Sequence, residues 1–489
     1  MSKKKKMNKQ KAKKARKVAA RPRASAASKK RAVFVAKKMP VAEKKPVIAP
    51  AVGEQKAPSD EEGAASQKHS GLQALRGMKD ILPKEDQYWY ALLDHAIRLA
   101  RFYEFGWIQT PLLEDARLYV RSIGRGTDIV EKEMYVFEDR DMERVALRPE
   151  GTAGVVRAYI QHGMLNLPQP VKMWYFASMF RHERPQKGRY REHHQIGFEV
   201  FGDQSPSADA QLIAIAYTLL SDLGIPVEVR INSIGMPDER ARYIMELTGY
   251  YRAKRSYLCE DCKKRLNRNP LRLLDCKEEG CKPLRDEAPQ IVDWLSEPSK
   301  KFFMELLEDL DELQVPYSLD PFLVRGLDYY SHTVFELYTK EQGAETAQSA
   351  LGGGGRYDLL VEQLGGRPTP AVGFGVGMER IVTELKKRPD EFAQKPPTVF
   401  LAHLGQGARR KALRLLQDLH AEGMRVGFNL AKTSLKAQLD IADKQKVLYT
   451  LILGQKEMMD GTIIVRDMES GAQEIVDVTK IVPFLKKKL

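Results

Sequence analysis

The sequence predicts an α+β protein: an antiparallel sheet flanked by helices, interrupted by a helical insertion and followed by a small C-terminal α/β domain. Three observations predict it. Apolar and polar residues alternate strictly over 193–201, the period of a strand with one buried face. Between about residues 237 and 316 the pattern is helical and charged, with no alternating run. Past Lys387, short apolar runs at 398–403, 426–429 and 448–453 are separated by helical stretches at 408–422 and 434–446, a βαβαβ order that builds a parallel sheet.

A length of 489 residues with 43% hydrophobic content gives room for two to four domains with real cores. No run reaches the length of a membrane span and no apolar secretory signal is present, so a soluble cytoplasmic protein is expected. The net charge of +15 is unevenly held. Of 80 Lys or Arg and 65 Asp or Glu in all, residues 1–45 contain 19 and one (Glu43), leaving 61 and 64 for the rest. The body is therefore not a uniformly basic nucleic-acid binder, and any polyanion contact in it is local. The tail and its linker, residues 1–70, are rich in Lys, Ala and Pro and bury too little apolar surface to order themselves. They form either a solubilising extension or a salt-dependent, sequence-blind attractor of RNA.

Order is expected from about Leu72, in a first part of the sheet domain covering 71–236. Pro83 followed by Asp86 marks a helix start, and Tyr90, Leu93, Ile97, Ala100 and Phe105 at helical spacing predict an amphipathic helix over 86–104, ended by Gly106. The strand expected over 107–114 carries Pro111, tolerated only at an edge or bulge, and so suits a dimer seam or a solvent-facing edge. Residues 134–148 read as a hairpin, and LRPEGTAGVVRAYI as a turn into a helix beginning near Thr152. Glu150 or Thr152 caps that helix, or its N-terminal potential receives a carboxylate-bearing ligand.

The aromatic run 171–181 is the antiparallel partner of the 193–201 strand. Ile196, Phe198 and Val200 take the core side. Gln195, Gly197 and Glu199 share the other, where the glycine leaves a notch between an amide and a carboxylate, a socket for a small polar ligand. The tip between the strands carries Arg184, Lys187, Arg189 and Arg191 and suits phosphates, with a surface hairpin of solvated charges as the bland alternative. A helix over 208–223 and a strand over 227–233 precede the insertion at 237–316.

The sheet domain resumes over 317–389. There LVRGLDYYSHTVFELY puts Arg325 before Tyr329, Tyr330 and a β-branched strand, and LGGGGRYDLL supplies Gly352 to Gly355. AVGFGVGMERIV alternates Gly373, Gly375 and Gly377 on one face with Phe374 and Val376 on the other, then enters a helix bearing Arg380. A glycine floor lets a planar ring lie on backbone, and the arginine suits a triphosphate end. Neither a G-x-x-x-x-G-K-[ST] loop nor a complete dinucleotide fingerprint is present, so a nucleotide here is held by arginines. The last domain spans 396–489, its elements closed by Gly423 and Gly454.

All four cysteines, Cys259, Cys262, Cys276 and Cys281, fall within 23 residues, which in a cytoplasmic chain argues against a disulfide framework. Two short-spaced pairs separated by 13 residues suit a tetrahedral thiolate zinc site, although the second pair has four intervening residues where two is commoner. A relic with free thiols is the alternative.

From about residue 71 to the C-terminus these motifs, in this order, resemble those of the histidyl-tRNA synthetases, a family of class II aminoacyl-tRNA synthetases. GWIQTPLLE is similar to the first, dimer-forming motif of the class, FRHERPQKGRYREHHQIGFEVFG to the second and GFGVGMERIV to the third. LVRGLDYY and LGGGGRYD resemble the two signatures peculiar to the histidine enzymes. The resemblance implies a class II synthetase catalytic core with an anticodon-binding domain at 396–489. It implies ATP-dependent ligation of L-histidine to tRNA(His) through a histidyl-adenylate, with AMP and diphosphate released, by a homodimer using Mg2+ with its ATP.

By motif position the resemblance implies Arg181 and Arg380 on the α- and γ-phosphates, Gly375 and Gly377 under the nucleotide, and Arg325 as the catalytic arginine on the α-phosphate beside Arg181. Glu150, Thr152, Gln195, Glu199, Tyr329 and Tyr330 would surround the histidine, whose amino group and imidazole offer the N–H donors that Gln195 and Glu199 accept. Arg184, Gln186, Lys187 and Arg189 would meet the acceptor end of the tRNA. A regulatory paralogue would lack the C-terminal domain and have an eroded RGLDYY, and an RNA-sensing pseudo-synthetase would have lost Arg325 or Arg380. All of these features are present.

Overall fold

The computed structural model describes residues 72–184, 188–340, 350–393 and 396–489. The basic tail, its linker and the tip residues Gln186 and Lys187 lie outside the described residues.

Two ten-residue strands, Val171–Phe180 and Glu192–Phe201, pair antiparallel along their whole length. They anchor an eight-stranded sheet whose spatial order is Gly106–Trp107, Val171–Phe180, Glu192–Phe201, Ala371–Gly377, Gly352–Arg356, Ser331–Thr339, Val227–Ser233 and Tyr317–Leu319. Neighbours are antiparallel except for the outermost pair at each edge. Ile196, Phe198 and Val200 point into the larger core with the helices Asp86–Phe102, Pro206–Ser221, Glu297–Glu312 and Met378–Leu385. Phe198 stacks on Phe374 of the neighbouring strand at 5.2 Å between ring centroids, so truncating it to alanine would cost roughly 3–5 kcal/mol. The opposite face meets a second core, rich in tyrosines, to which the insertion contributes Tyr243, Tyr251 and the cysteine segment.

Several local expectations are corrected. The first helix runs Asp86–Phe102 and buries Tyr88, Trp89, Leu92, Ala96 and Ala100, whereas Tyr90, expected inside, is 59% exposed. Two overlapping apolar stripes satisfy the helical period, and only the sheet beneath selects between them. The helix is ended by Glu104 in the left-handed region (φ 60°), two residues before Gly106. The single strand expected over 107–114 is divided at Pro111, which has no N–H to continue a ladder. Gly106–Trp107 forms an edge of the large sheet, and Leu113–Asp115 joins the Val136–Glu138 and Arg144–Leu147 hairpin in a separate three-stranded sheet.

Between Ser233 and Tyr317 there is no strand. The helices Pro237–Ala253 and Glu260–Arg268 are followed by short turns and by Glu297–Glu312, which packs on Pro206–Ser221 and lends Phe303, Leu306 and Leu310 to the larger core. The C-terminal part holds the expected parallel strands Val399–His403, Val426–Phe428 and Tyr449–Leu453. A hairpin the periodicity did not reveal, Thr462–Asp467 with Gln473–Asp477, adds two antiparallel strands and makes the sheet mixed. Among the described residues no helix is long and apolar enough to cross a membrane.

Candidate active site

Strand register assembles the site. Glu192–Phe201 lies against Ala371–Gly377 so that Glu199 faces Gly373, Gly197 faces Gly375 and Gln195 faces Gly377. Opposed residues in a sheet place their side chains on the same face, so three glycines clear the surface beside the three expected ligand positions. They clear it for different reasons. A Cβ on Gly373 would overlap the Glu199 carboxylate, whereas one on Gly375 would meet nothing nearer than 3.7 Å and one on Gly377 likewise. Gly373 is thus needed by the protein itself, while a Cβ on Gly375 or Gly377 would make only ordinary van der Waals contacts.

The notch expected at Gly197 is not an empty socket. A Cβ there would overlap the ring of Tyr175, as would one on Gly151, so both glycines make room for that buried phenol. The sequence shows the missing side chain but not the neighbour that fills the gap. The buried polar cluster lies next to it, around Glu199.

Glu199 is fully buried. Its Oε1 accepts from the Thr152 hydroxyl at 2.8 Å and its Oε2 from the Tyr357 hydroxyl. Burial pushes its carboxyl up to about 8; the hydroxyls of Tyr357 and Thr152 pull the other way, and the nearby Glu150 adds to the rise. A carboxylate so placed lacks a cation or further N–H donors. Glu150 is itself committed: its two oxygens accept from the backbone N–H groups of Thr152 (2.7 Å) and Ala153 (2.9 Å), capping the Thr152–Gln161 helix. The helix end proposed for a ligand carboxylate is therefore occupied by the protein's own. Tyr329 and Tyr330 pack with ring centroids 4.7 Å apart, and Tyr329 also meets Tyr357 edge-on. Gln195, half-buried, sits at the other end of the row, its Oε1 3.7 Å from the open position above Gly375.

The arginines expected to meet phosphates lie beyond Gln195. Arg181 donates from Nε to the Pro149 carbonyl at 2.8 Å, and Arg380 from Nε to the Gly188 carbonyl at 3.0 Å. Glu183 lies between Arg181 (3.9 Å) and Arg189 (3.2 Å). Burial and then the charges of Arg189 and Arg181 draw the Arg380 guanidinium down to about 10, against the pull of Glu183. His193 is driven to about 3, by burial first and then by Arg181 and Arg380. Cations thus outweigh anions here, the condition of an anion site. Arg325 is ion-paired to Glu336, its guanidinium lies 5.7 Å from the Tyr330 ring centroid, and its buried Nε has no hydrogen-bond partner. Of the tip residues described, Arg184 is exposed and Arg189 is tied to Glu183.

Residues that sequence reasoning did not single out are Tyr175, Tyr357, Glu336 and His193. Tyr357 stands in the quoted GGGGRYD run, where only the glycines had drawn notice. Its hydroxyl reaches Glu199 across 158 positions of chain, which no spacing rule encodes.

Residues 77–248 and 286–381 match the family model described as histidyl-tRNA synthetase, and residues 398–488 match an anticodon binding domain. The histidine–tRNA ligase of Dehalococcoides mccartyi is 44% identical over 419 residues, covering 85% of this chain and 100% of that one. The chain belongs to the histidyl-tRNA synthetase family. A further family member, the histidine–tRNA ligase of Desulforamulus reducens, is 43% identical over 84% of this chain and 98% of its own length. The crystal structure of apo S. aureus histidyl-tRNA synthetase superposes with a TM-score of 0.70 at 32% identity, covering 85% of this chain and all of that one. The architecture is accordingly that of a class II aminoacyl-tRNA synthetase with its anticodon-binding domain. The histidyl-tRNA synthetase model leaves residues 249–285, the cysteine segment, unmatched.

Proposed function

We propose that this chain ligates L-histidine to tRNA(His) using ATP. The observation that carries the reading is one strand bearing a buried carboxylate, Glu199, whose hydrogen bonds come from hydroxyls, and leading past Gln195 toward Arg181, Arg189 and Arg380, the last drawn down to about 10 by burial and by its neighbours' charges. At ~3.3 Å per residue, Glu199 and Gln195 stand roughly 13 Å apart, room for an amino acid whose carboxylate faces the arginines. The amino group and imidazole supply the N–H donors that Glu199 and Gln195 lack, while Tyr329 and Tyr330 close the wall.

The histidine carboxylate attacks the α-phosphorus, the bond to the bridging oxygen breaks, and diphosphate leaves. Arg181 and Arg325 neutralise charge that grows on the α-phosphate, and Arg380 holds the far end of the triphosphate over Gly375 and Gly377. No protein nucleophile is required. In the second step a terminal ribose hydroxyl of the tRNA attacks the carbonyl of the adenylate, AMP departs and the hydroxyl proton passes to solvent. When bound with the nucleotide, magnesium would supply charge neutralisation on the triphosphate. The acceptors beside the arginines, Glu183 and Glu336, fit an ion that arrives on the nucleotide and keeps most of its water, since no closed carboxylate cage is present among the described residues.

The acceptor end of the tRNA is assigned to the 184–191 tip and the anticodon to residues 396–489. The exposed edge at Gly106–Trp107, with Trp107 61% exposed and Leu112 and Leu113 exposed beside it, supports a dimer seam that sedimentation of the full chain would detect. ATP–pyrophosphate exchange with each amino acid in turn tests the reading as a whole. Exchange is expected with histidine and with none of the others; equal exchange with another amino acid would refute it.

A further inference from the structure

The cysteines lie outside the matched parts of the family model and outside the pocket described above. Their four Sγ atoms all lie within 4.8 Å of one another, with Cys259 Sγ and Cys276 Sγ 3.8 Å apart. Four sulfurs bound tetrahedrally at ~2.3 Å from one centre would be separated by ~3.8 Å. Two backbone amides are aimed at the sulfurs: the N–H of Cys262 donates to Cys259 Sγ and that of Cys259 to Cys281 Sγ, each at 3.4 Å. Such donors stabilise thiolates and are not needed by thiols that merely fill a core. Leu258, Leu266, Leu273 and Leu274 belong with the cysteines to one buried apolar cluster.

The segment has little regular structure of its own. Between Ala253 and Lys282 its regular structure is one helix of nine residues, Glu260–Arg268, and three short 3-10 turns. Yet it rests on the loop that carries the substrate residues. Asn269 Nδ2 donates to Asp328 Oδ1 at 3.4 Å, and the Arg272 guanidinium is the nearest group to the open side of Gly326, 3.6 Å from where a Cβ would stand. From the preceding helix, Arg240 Nη1 donates to the Tyr330 carbonyl at 2.6 Å. Across the other side, Arg268 pairs with Glu131 at 3.3 Å.

We propose that Cys259, Cys262, Cys276 and Cys281 hold one Zn2+ in an all-thiolate tetrahedral site, and that this site staples the insertion over the Arg325–Tyr330 loop. Four sulfurs with no carboxylate or imidazole select a borderline-to-soft ion over Mg2+ or Ca2+. Metallation exchanges four S–H protons for four Zn–S bonds, the protons going to solvent, and needs no oxidant. The staple rests on the histidine reading of the pocket; the metal itself does not.

The full chain, purified under reducing conditions without chelator and freed of any affinity tag, is assayed by elemental analysis and by exchange into Co2+. Close to one zinc per chain is expected, and the Co2+ form should show the intense visible bands of a tetrahedral thiolate complex. Wild-type protein that is metal-free, with four thiols titrating and no such bands on Co2+ addition, would overturn the site. Cys262→Ser should lose the zinc; because it could also unfold the insertion, the Co2+ spectrum of the wild type carries the same question independently. For the staple, zinc removal should raise the KM for histidine in pyrophosphate exchange roughly fivefold, the equivalent of ~1 kcal/mol for one bracing hydrogen bond, with the KM for ATP little changed. An unchanged histidine KM in metal-free, folded protein would overturn the staple, whereas the metal measurements stand whichever amino acid the pocket takes.

Discussion

Replacing Glu199 by glutamine probes the pocket through its proton as well as its affinity. Burial holds the Glu199 carboxyl up to about 8, well above the ordinary 4.5, so in the empty protein at neutral pH it is mostly protonated. The group is a carboxyl with a raised value, and the sign follows: its burial weakens folding progressively as pH climbs from about 4.5 to about 8, and the penalty is complete above that. Histidine bound against Glu199 should reverse this: its N–H donors would favour the carboxylate, so binding below about pH 8 should expel a proton.

One unit below the folded value, at about pH 7, roughly a tenth of the protein has Glu199 ionised. Binding then carries a penalty of ~1.4 kcal/mol, or tenfold in affinity, that fades as pH rises. Between about pH 6.5 and about pH 8 the ionised fraction grows roughly 15-fold, and the affinity for histidine should follow it. Calorimetry in buffers of different ionisation enthalpy counts the protons: roughly 0.9 released per histidine at about pH 7 from this group. Glu199→Gln should release fewer by that amount, leaving only the contribution of the ligand's own ring, and should bind at least tenfold more weakly at about pH 8 through loss of a charge-assisted bond of ~1.5–3 kcal/mol. Equal proton release by the two proteins would show that Glu199 is not the acceptor for histidine.

Other perturbations separate the remaining roles. Arg325→Ala should lower the turnover of adenylation by ~10²-fold or more while changing ATP binding much less, and lysine should rescue only partly because it lacks the planar fork; equal losses in both would make Arg325 an ordinary phosphate anchor. Gly375→Ala adds a Cβ at ordinary contact distance, so the melting temperature should hold while the KM for ATP rises severalfold, an effect absent if the nucleotide does not lie there. Gly373→Ala collides with the Glu199 carboxylate and should instead weaken histidine binding, read as a selective rise in the histidine KM. Deleting residues 1–68 should leave histidine-dependent exchange intact and flatten the salt dependence of tRNA binding; a change in which tRNA is charged would contradict the sequence-blind reading of the tail.

What the sequence determined by itself is what depends on near neighbours in the chain. The alternation through Ile196, Phe198 and Val200 fixed the buried face of the central strand, because a strand's period of two leaves no other assignment. The unlike charges of tail and body, the strandless stretch before Tyr317 and the strand–helix alternation after Lys387 were readable for the same reason. The arginines and glycines expected at the site could be named from their motifs. Tertiary structure decided which neighbours each of them meets. Only the register between Glu192–Phe201 and Ala371–Gly377 made Gly373 a seat for Glu199 and left Gly375 with only ordinary contacts, although the three glycines look equivalent in the sequence. Only packing chose Leu92 and Ala96 over Tyr90 for the buried stripe of the first helix, and filled the expected notch at Gly197 with Tyr175. The protonation of Glu199 depends on burial and on Thr152 and Tyr357, which stand 47 and 158 positions away, and desolvation is a property of three-dimensional surroundings that no local pattern carries.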